Sequence, residues 1–318
     1  MSCRISSRPI WPVAPVIKIM MAFGWPAPAK VSAVKLPGRW RTLQPMAEPF
    51  RWNRSRVLVM GILNVTPDSF SDGGRFADVT RAVARARAMG ADIVDVGGES
   101  TRPGATPVCE AEEIRRVVPV VERLAGLLVS VDTTKAAVAE AALRAGARIV
   151  NDISALRFDA RMAEVVREHR AGVVLMHMQG TPATMQARPQ YTEVVREVRD
   201  FLAERIEFAV AQGIGRDQIA IDPGIGFGKT VEHNLELLAR LEELTGLGCP
   251  VLVGASRKSF LGKITGREPA DRLAGSVAVA TWAVARGARI VRAHDVAETR
   301  DAVRVVESLQ TWCESSRS

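Results

Sequence analysis

With 318 residues, 47% hydrophobic and 25% charged, the chain has enough apolar side chain for one large core and lacks the bias of a disordered or fibrous protein. Its longest apolar runs are broken by charge or glycine short of the roughly 18 residues a membrane span needs, which argues against a membrane protein. The net charge of +8 invites a nucleic-acid reading, but Arg4, Arg8, Lys18, Lys30, Lys35, Arg39 and Arg41 all precede the first acidic residue, Glu48, so seven of the eight excess positive charges lie in the leader. The remainder is close to neutral, and neither nucleic acid nor a membrane is expected as a partner.

Residues 1–50 form that leader, with Trp11, Trp25 and Trp40 among scattered prolines and no helical or strand period; disorder is expected there. Its stretch VIKIMMAFGWPAPA loosely imitates a secretory signal, but Lys18 and the prolines interrupt it, and initiation at Met46 is the preferred reading. Cys3, Cys109, Cys249 and Cys313 show no metal or disulfide spacing, which suits a reducing cytoplasm.

Residues 51–318 read as one domain. From Arg56 short β-branched runs alternate with helical stretches rich in Ala, Glu, Arg and Leu. The expected strands are Val57 to Ile62, Ile93 to Val96, Leu127 to Asp132, Arg148 to Asn151, Val173 to Met176, Ile219 to Asp222, Val251 to Gly254 and Arg289 to Arg292. Eight successive βα units of nearly continuous apolar strands predict an α/β fold of the (β/α)8 TIM-barrel type, with a doubly wound open sheet as the competing architecture.

Polar residues stand where the strands end: Asn64, Asp95, Asp132, Asn151, His177, Asp222, the group Ser256-Arg257-Lys258, and Arg292 with His294. In a barrel that is the catalytic face. Taken singly, Asp95 and His177 read equally well as loop starts or helix caps.

The first loop, NVTPDSFSDGG at 64–74, reads as a lid or an ordinary βα turn; the second, GGESTRPGATP at 97–107, supplies Thr101 and the phosphate-clamping Arg102. Asp132, Asn151 and Asp222 combine two carboxylates and one amide, a set that suits a 2-amino-4-oxopyrimidine edge, because a carboxylate accepts two parallel N–H bonds. A metal site competes, but no ligating His spacing accompanies the carboxylates; Mg2+ beside a phosphate stays open. DPGIGFGKT at 222–230 fails the Walker A pattern at Pro223 and the dinucleotide pattern at Lys229, and reads as a glycine-rich loop with Phe227 lining the mouth. Lys258 and Ser259 fall where a helix should begin and suit a carboxylate, while Arg292 and His294, two apart, suit an anion; a structural ion pair and a helix cap are the alternatives there.

The motifs NVTPDSFSDGG, DVGGESTRPGA, SVDT, NDIS, HMQGTP, DPGIGFGK, SRKSFLG and RAHD, in this order over residues 56–310, resemble the dihydropteroate synthase family of folate biosynthesis. The resemblance implies condensation of 6-hydroxymethyl-7,8-dihydropterin diphosphate with 4-aminobenzoate to 7,8-dihydropteroate and pyrophosphate, by an SN1-like displacement. It implies catalytic roles for Asp72, Arg102, Lys258 and Arg292. Pterin diphosphate would bind at Asn64, Thr101, Asp132, Asn151, Asp222, Lys258, Arg292 and His294, with Mg2+ at Asn64. The 4-aminobenzoate would bind at Thr101, Pro103, Phe227, Lys258 and Ser259. A cytoplasmic homodimer joined through late helices is expected. An inactive pterin-binding paralogue and a pterin-dependent methyltransferase of the same barrel superfamily are the alternatives.

Overall fold

A computed structural model describes residues 48–53, 55–66, 74–100 and 106–316. Residues 1–47 of the leader and the candidate residues Asp72, Thr101, Arg102 and Pro103 lie outside the described residues.

Eight strands alternate with helices: β1 Leu58–Asn64, α1 Gly74–Ala88, β2 Ile93–Gly97, α2 Glu110–Arg123, β3 Val129–Asp132, α3 Ala136–Arg144, β4 Ile149–Asp152, α4 Met162–Glu168 and β5 Gly172–Met176. Then follow α5 Val194–Ala211, β6 Ile219–Asp222, α6 Val231–Ala239, the short α7 Glu242–Thr245, β7 Leu252–Val253, α8 Ser259–Thr265, α9 Leu273–Ala285, β8 Ile290–Ala293 and α10 Val296–Ser315. All pairings are parallel, and β1 pairs with both β2 and β8. A parallel bridge between Ile221 and Val251, with Ile221 N donating to Pro250 O at 3.0 Å, joins β6 to β7. The sheet is therefore a closed (β/α)8 barrel, and the open doubly wound alternative is excluded.

Strand periodicity sorts the side chains into two sets. Val94, Val96, Val129, Val131, Val173, Leu175, Ile219, Ile221 and Val253 face the helices in one large apolar cluster. Leu58, Met60, Ile93, Ile149, Val174, Ala220, Leu252 and Ile290 fill the barrel. Two residues further along the strands the inward positions turn polar: Asp95 after Ile93, Asn151 after Ile149, Asp222 after Ala220 and Arg292 after Ile290. One end of the barrel is thus a packed floor and the other a polar mouth.

The floor is closed by Phe50 and Trp52, whose rings meet edge to face at 5.0 Å. Phe50 N donates to Arg170 O at 2.9 Å, and Trp52 Nε1 to Gln218 O at 2.8 Å. Glu48–Ser318 forms one compact unit, so Phe50 packs with the barrel. Every strand but β6 differs from expectation by one or two residues at an end, and at two of them the cause is plain. β1 runs two residues further, to Asn64, because it stays hydrogen-bonded to β2 up to Gly97. β7 is only Leu252–Val253, since Pro250 carries no N–H for a ladder and Gly254 begins the next loop.

Candidate active site

Arg292 is the hub of the polar mouth. Its Nε donates to Asp95 Oδ2 at 2.6 Å and its Nη2 to Asp132 Oδ2 at 2.7 Å. Asn151 Nδ2 donates to the same Asp95 oxygen at 3.0 Å. Burial alone would lower the guanidinium, but Asp95 and Asp132 together hold it above its ordinary value. Burial pushes the Asp132 carboxyl up to about 7; Arg292 opposes that shift and the Asp95 charge adds to it.

Across the mouth, Asp222 Oδ1 accepts from Gly224 N at 2.7 Å. Burial raises its carboxyl, against the pull of Lys258. Gly254 keeps space open between the two sides: a Cβ there would lie 3.6 Å from Arg292 Cβ and 4.0 Å from Asp222 Oδ2. A similar opening lies at Gly97, whose missing Cβ would be 3.6 Å from both Asn64 Oδ1 and Asp132 Cβ. Ile153, Met176, Met178 and Met185, with Phe227 against them, supply an apolar wall at the ends of β4, β5 and β6. Carboxylates and an amide beside a thioether-rich wall suit a flat, polar-edged ring.

The glycine-rich loop after β6 is held through successive carbonyls. Lys258 Nζ donates to Ile225 O, Gln186 Nε2 to Gly226 O at 2.8 Å, Lys229 Nζ to Phe227 O at 3.0 Å, and Tyr191 OH to Gly228 O at 2.8 Å. Gly224, at φ +68°, can only be glycine, because a Cβ would stand 1.9 Å from His177 O. The loop ends at Thr230, whose Oγ1 caps α6 by accepting from His233 N at 3.2 Å. Lys258 Nζ sits 4.4 Å from the centre of the Phe227 ring, and burial pushes its ammonium down to about 8, against the attraction of Asp222. Ser259 opens α8 beside it and is exposed.

On the last strand, His294 N and Nδ1 lie 3.2 and 3.1 Å from Ser256 Oγ. The cap of α10 is Asp295, so His294 does not cap that helix. Arg257, grouped by sequence with Ser256 and Lys258, turns away. It adopts a left-handed backbone at φ 58°, and its guanidinium pairs with Asp295, Nε to Oδ2 at 3.0 Å.

The structure thus brings Asp132, Asn151, Asp222, Lys258 and Arg292 together, with Asn64 and Phe227 at the rim. His177 is a correction. It stands one residue past inward-facing Met176, so the period of two sends it outward, onto the Phe201 ring of α5 at 4.9 Å. Its Nδ1 meets Lys229 Nζ at 3.0 Å, and burial, with Lys229 beside it, pushes the imidazole down to about 2. Two contributors are not resolved by the sequence. The motif comparison gives Lys229 only as a mismatch to a nucleotide motif, yet it is buried, with its ammonium pushed down to about 7 by burial. Asp95, read alone as a loop start or cap, is a fully buried barrel residue; the signal that finds it is its place two residues after Ile93 on an inward row.

Residues 60–294 match the family described as pterin binding enzyme. The chain is 48% identical over 265 residues to the dihydropteroate synthase of Escherichia coli, covering 81% of this chain and 94% of that protein. It superposes on a Xanthomonas albilineans dihydropteroate synthase solved with 4-aminobenzoic acid, with a TM-score of 0.75, 51% identity, and coverage of 80% and 94% of the two chains. A second structure of the Xanthomonas albilineans enzyme, in complex with 7,8-dihydropteroate, gives a TM-score of 0.73 and 48% identity over 80% and 94% of the chains. The polar mouth and these matches agree, and the chain belongs to the pterin binding enzymes and, within them, to the dihydropteroate synthase family of transferases.

Proposed function

We propose that this chain condenses 6-hydroxymethyl-7,8-dihydropterin diphosphate with 4-aminobenzoate, releasing pyrophosphate. The observation that carries this reading is the Arg292 guanidinium, fixed between Asp95 and Asp132 and facing Asp222 across the opening at Gly254.

Asp222 Oδ2 borders that opening and accepts the paired donors of the ring's amino-pyrimidine edge, with Asn151 and Asp132 on the remaining edge. Lys258 donates to the ring and closes the pocket over Phe227. Arg292 lies over the ring and, with His294, Asn64, Thr101 and Arg102, receives the diphosphate. As the C–O bond to the diphosphate breaks, positive charge spreads from the methylene into the electron-rich dihydropterin, and the buried Asp132 and Asp222 carboxylates stabilise it. The bond electrons leave with pyrophosphate, whose charge Arg292 and Arg102 offset. The arylamine nitrogen attacks the methylene and then loses a proton; it is nucleophilic enough to need no strong base. Its carboxylate meets Ser259 at the start of α8, with Thr101, Pro103 and Phe227 lining the pocket and Asp72 joining from the first loop.

The donor set fits Mg2+ carried in with the diphosphate. Asn64 offers a hard amide oxygen at the mouth, and the described residues hold no cluster of three His, Cys, Asp or Glu that would form a cage of its own. When bound there, Mg2+ supplies charge neutralisation to the leaving group. Cytoplasmic residence is supported by Cys109 and Cys313, which carry free thiols; among the described residues no helix is long and apolar enough to cross a membrane. A homodimer through the last helices is supported by Val305, Leu309 and Trp312, exposed on one face of α10, with Trp312 73% exposed.

The test is incubation of the purified protein with the pterin diphosphate, 4-aminobenzoate and Mg2+. Pyrophosphate release above the protein-free rate is expected, and its absence rejects the reading.

A further inference from the structure

Asp95 is fully buried, and its contacts do not serve the framework. Other buried or half-buried aspartates of the barrel hold backbone: Asp152 accepts from Ser154 N and Leu156 N, each at 2.8 Å, and Asp92 from Val59 N at 2.8 Å. Asp95 uses only Oδ2, on Arg292 Nε and Asn151 Nδ2, and among the described residues its Oδ1 has no hydrogen-bond partner. A carboxylate buried this deeply costs several kcal/mol unless paired. Its partners are two residues of the mouth, so its charge is directed at the site.

The two carboxylates on Arg292 lie at different depths. The side chain of Asp132 is 11% exposed and that of Asp95 is 0% exposed. A ring entering from the mouth competes with Arg292 for Asp132, but reaches Asp95 only by displacing Arg292 and Asn151. We propose that Asp95 is a positioning residue, the tether that keeps the Arg292 guanidinium in place while Asp132 is engaged by the substrate ring. The same oxygen fixes the Asn151 amide by its Nδ2, so that Oδ1 is the atom presented to the ring. The proposal rests on the reading of Arg292 as part of the pterin diphosphate site.

The experiment is a double-mutant cycle on the full chain with Asp95→Asn and Arg292→Ala, reading kcat and KM from pyrophosphate release. Asp95→Asn is expected to lower kcat/KM about tenfold or more in the Arg292 background, mainly through kcat, and by less than about threefold in the Arg292→Ala background. Equal losses in both backgrounds overturn the proposal, since a merely structural aspartate would act independently of Arg292. An Arg292→Ala protein with unchanged kcat/KM overturns the assignment of Arg292 itself, and is read from its own arm before Asp95 is considered. Should Arg292→Ala fall below measurable steady-state turnover, the same cycle is read from single-turnover pyrophosphate release with enzyme in excess; should Asp95→Asn fail to fold, Asp95→Ser, which leaves room for a water, takes its place.

Discussion

Arg292 on β8 donates to Asp132 on β3 at 2.7 Å, reaching past β1 and β2 to do so. The pair exists because the barrel closes, and it places one guanidinium over two carboxylates. Removing it in Arg292→Ala leaves Asp95 and Asp132 facing each other without a counter-charge. The expected cost is about 3–4 kcal/mol of transition-state stabilisation in kcat/KM, with little recovery in Arg292→Lys, whose single ammonium cannot span both acids. Steady-state pyrophosphate release measures it, and a loss below about tenfold would contradict this role.

The dependence on pH follows from two buried groups. Asp132 is pushed up to about 7 and Lys258 down to about 8. The proposed reaction uses Asp132 as the anion and Lys258 as the ammonium. Acid protonates the first and alkali deprotonates the second, so kcat/KM is a narrow bell, falling below about pH 7 and above about pH 8. Asp132→Asn replaces the acid limb by the one Asp222 sets, whose carboxyl burial also raises, and Lys258→Arg moves the alkaline limb upward. A profile flat from about pH 6 to about pH 9 would refute the assignment.

Gly254 separates binding from folding. An alanine Cβ there meets only ordinary contacts, 3.6 Å to Arg292 Cβ and 3.8 Å to Arg292 Cδ, so the fold accepts it. The added methyl occupies the opening assigned to the ring. Gly254→Ala is therefore expected to raise KM for the pterin diphosphate by about tenfold or more, with Tm changed by no more than a few degrees. An unchanged KM would show that the ring lies elsewhere.

Lys229 gives a linkage test. Its ammonium is pushed down to about 7 from an ordinary 10.5. Across that interval the unfolded chain binds a proton that the folded protein has released, so stability rises with pH there. Lys229→Met lacks this contribution and leaves Phe227 O without its donor. The Tm advantage of the wild type over the variant is expected to grow from about pH 7 to about pH 10, as followed by thermal melts. A constant difference would mean that Lys229 titrates as an exposed lysine does.

At the other end of the barrel, Gly172 makes room for the plug: an alanine Cβ there would stand 2.4 Å from Phe50 Cδ1. Gly172→Ala is expected to destabilise the fold by about 1–3 kcal/mol in urea unfolding while kcat stays within about twofold, because the strain lies at the floor and the chemistry at the mouth.

Much of this was legible in the chain itself. Strand number follows from the alternation of short apolar runs with helical stretches, a local property that needs no partner, and the strand ends located Asn64, Asp132, Asn151, Asp222, Lys258 and Arg292 at one mouth. Periodicity also held the distinction between Asp95 and His177, one inward and one a residue past the inward row, but each looked alike as a polar residue at a strand end. What a side chain does once inside is not local. Asp95 meets Arg292 across 197 positions, and Lys229 meets His177 across 52. Those pairings depend on barrel closure and the stagger of its strands, as does the fit of Phe50 beneath Gly172. The sequence by itself determined which residues stand at the strand ends; the tertiary structure decided which of them hold one another in place, because burial and ion pairing arise only between strands that closure brings together.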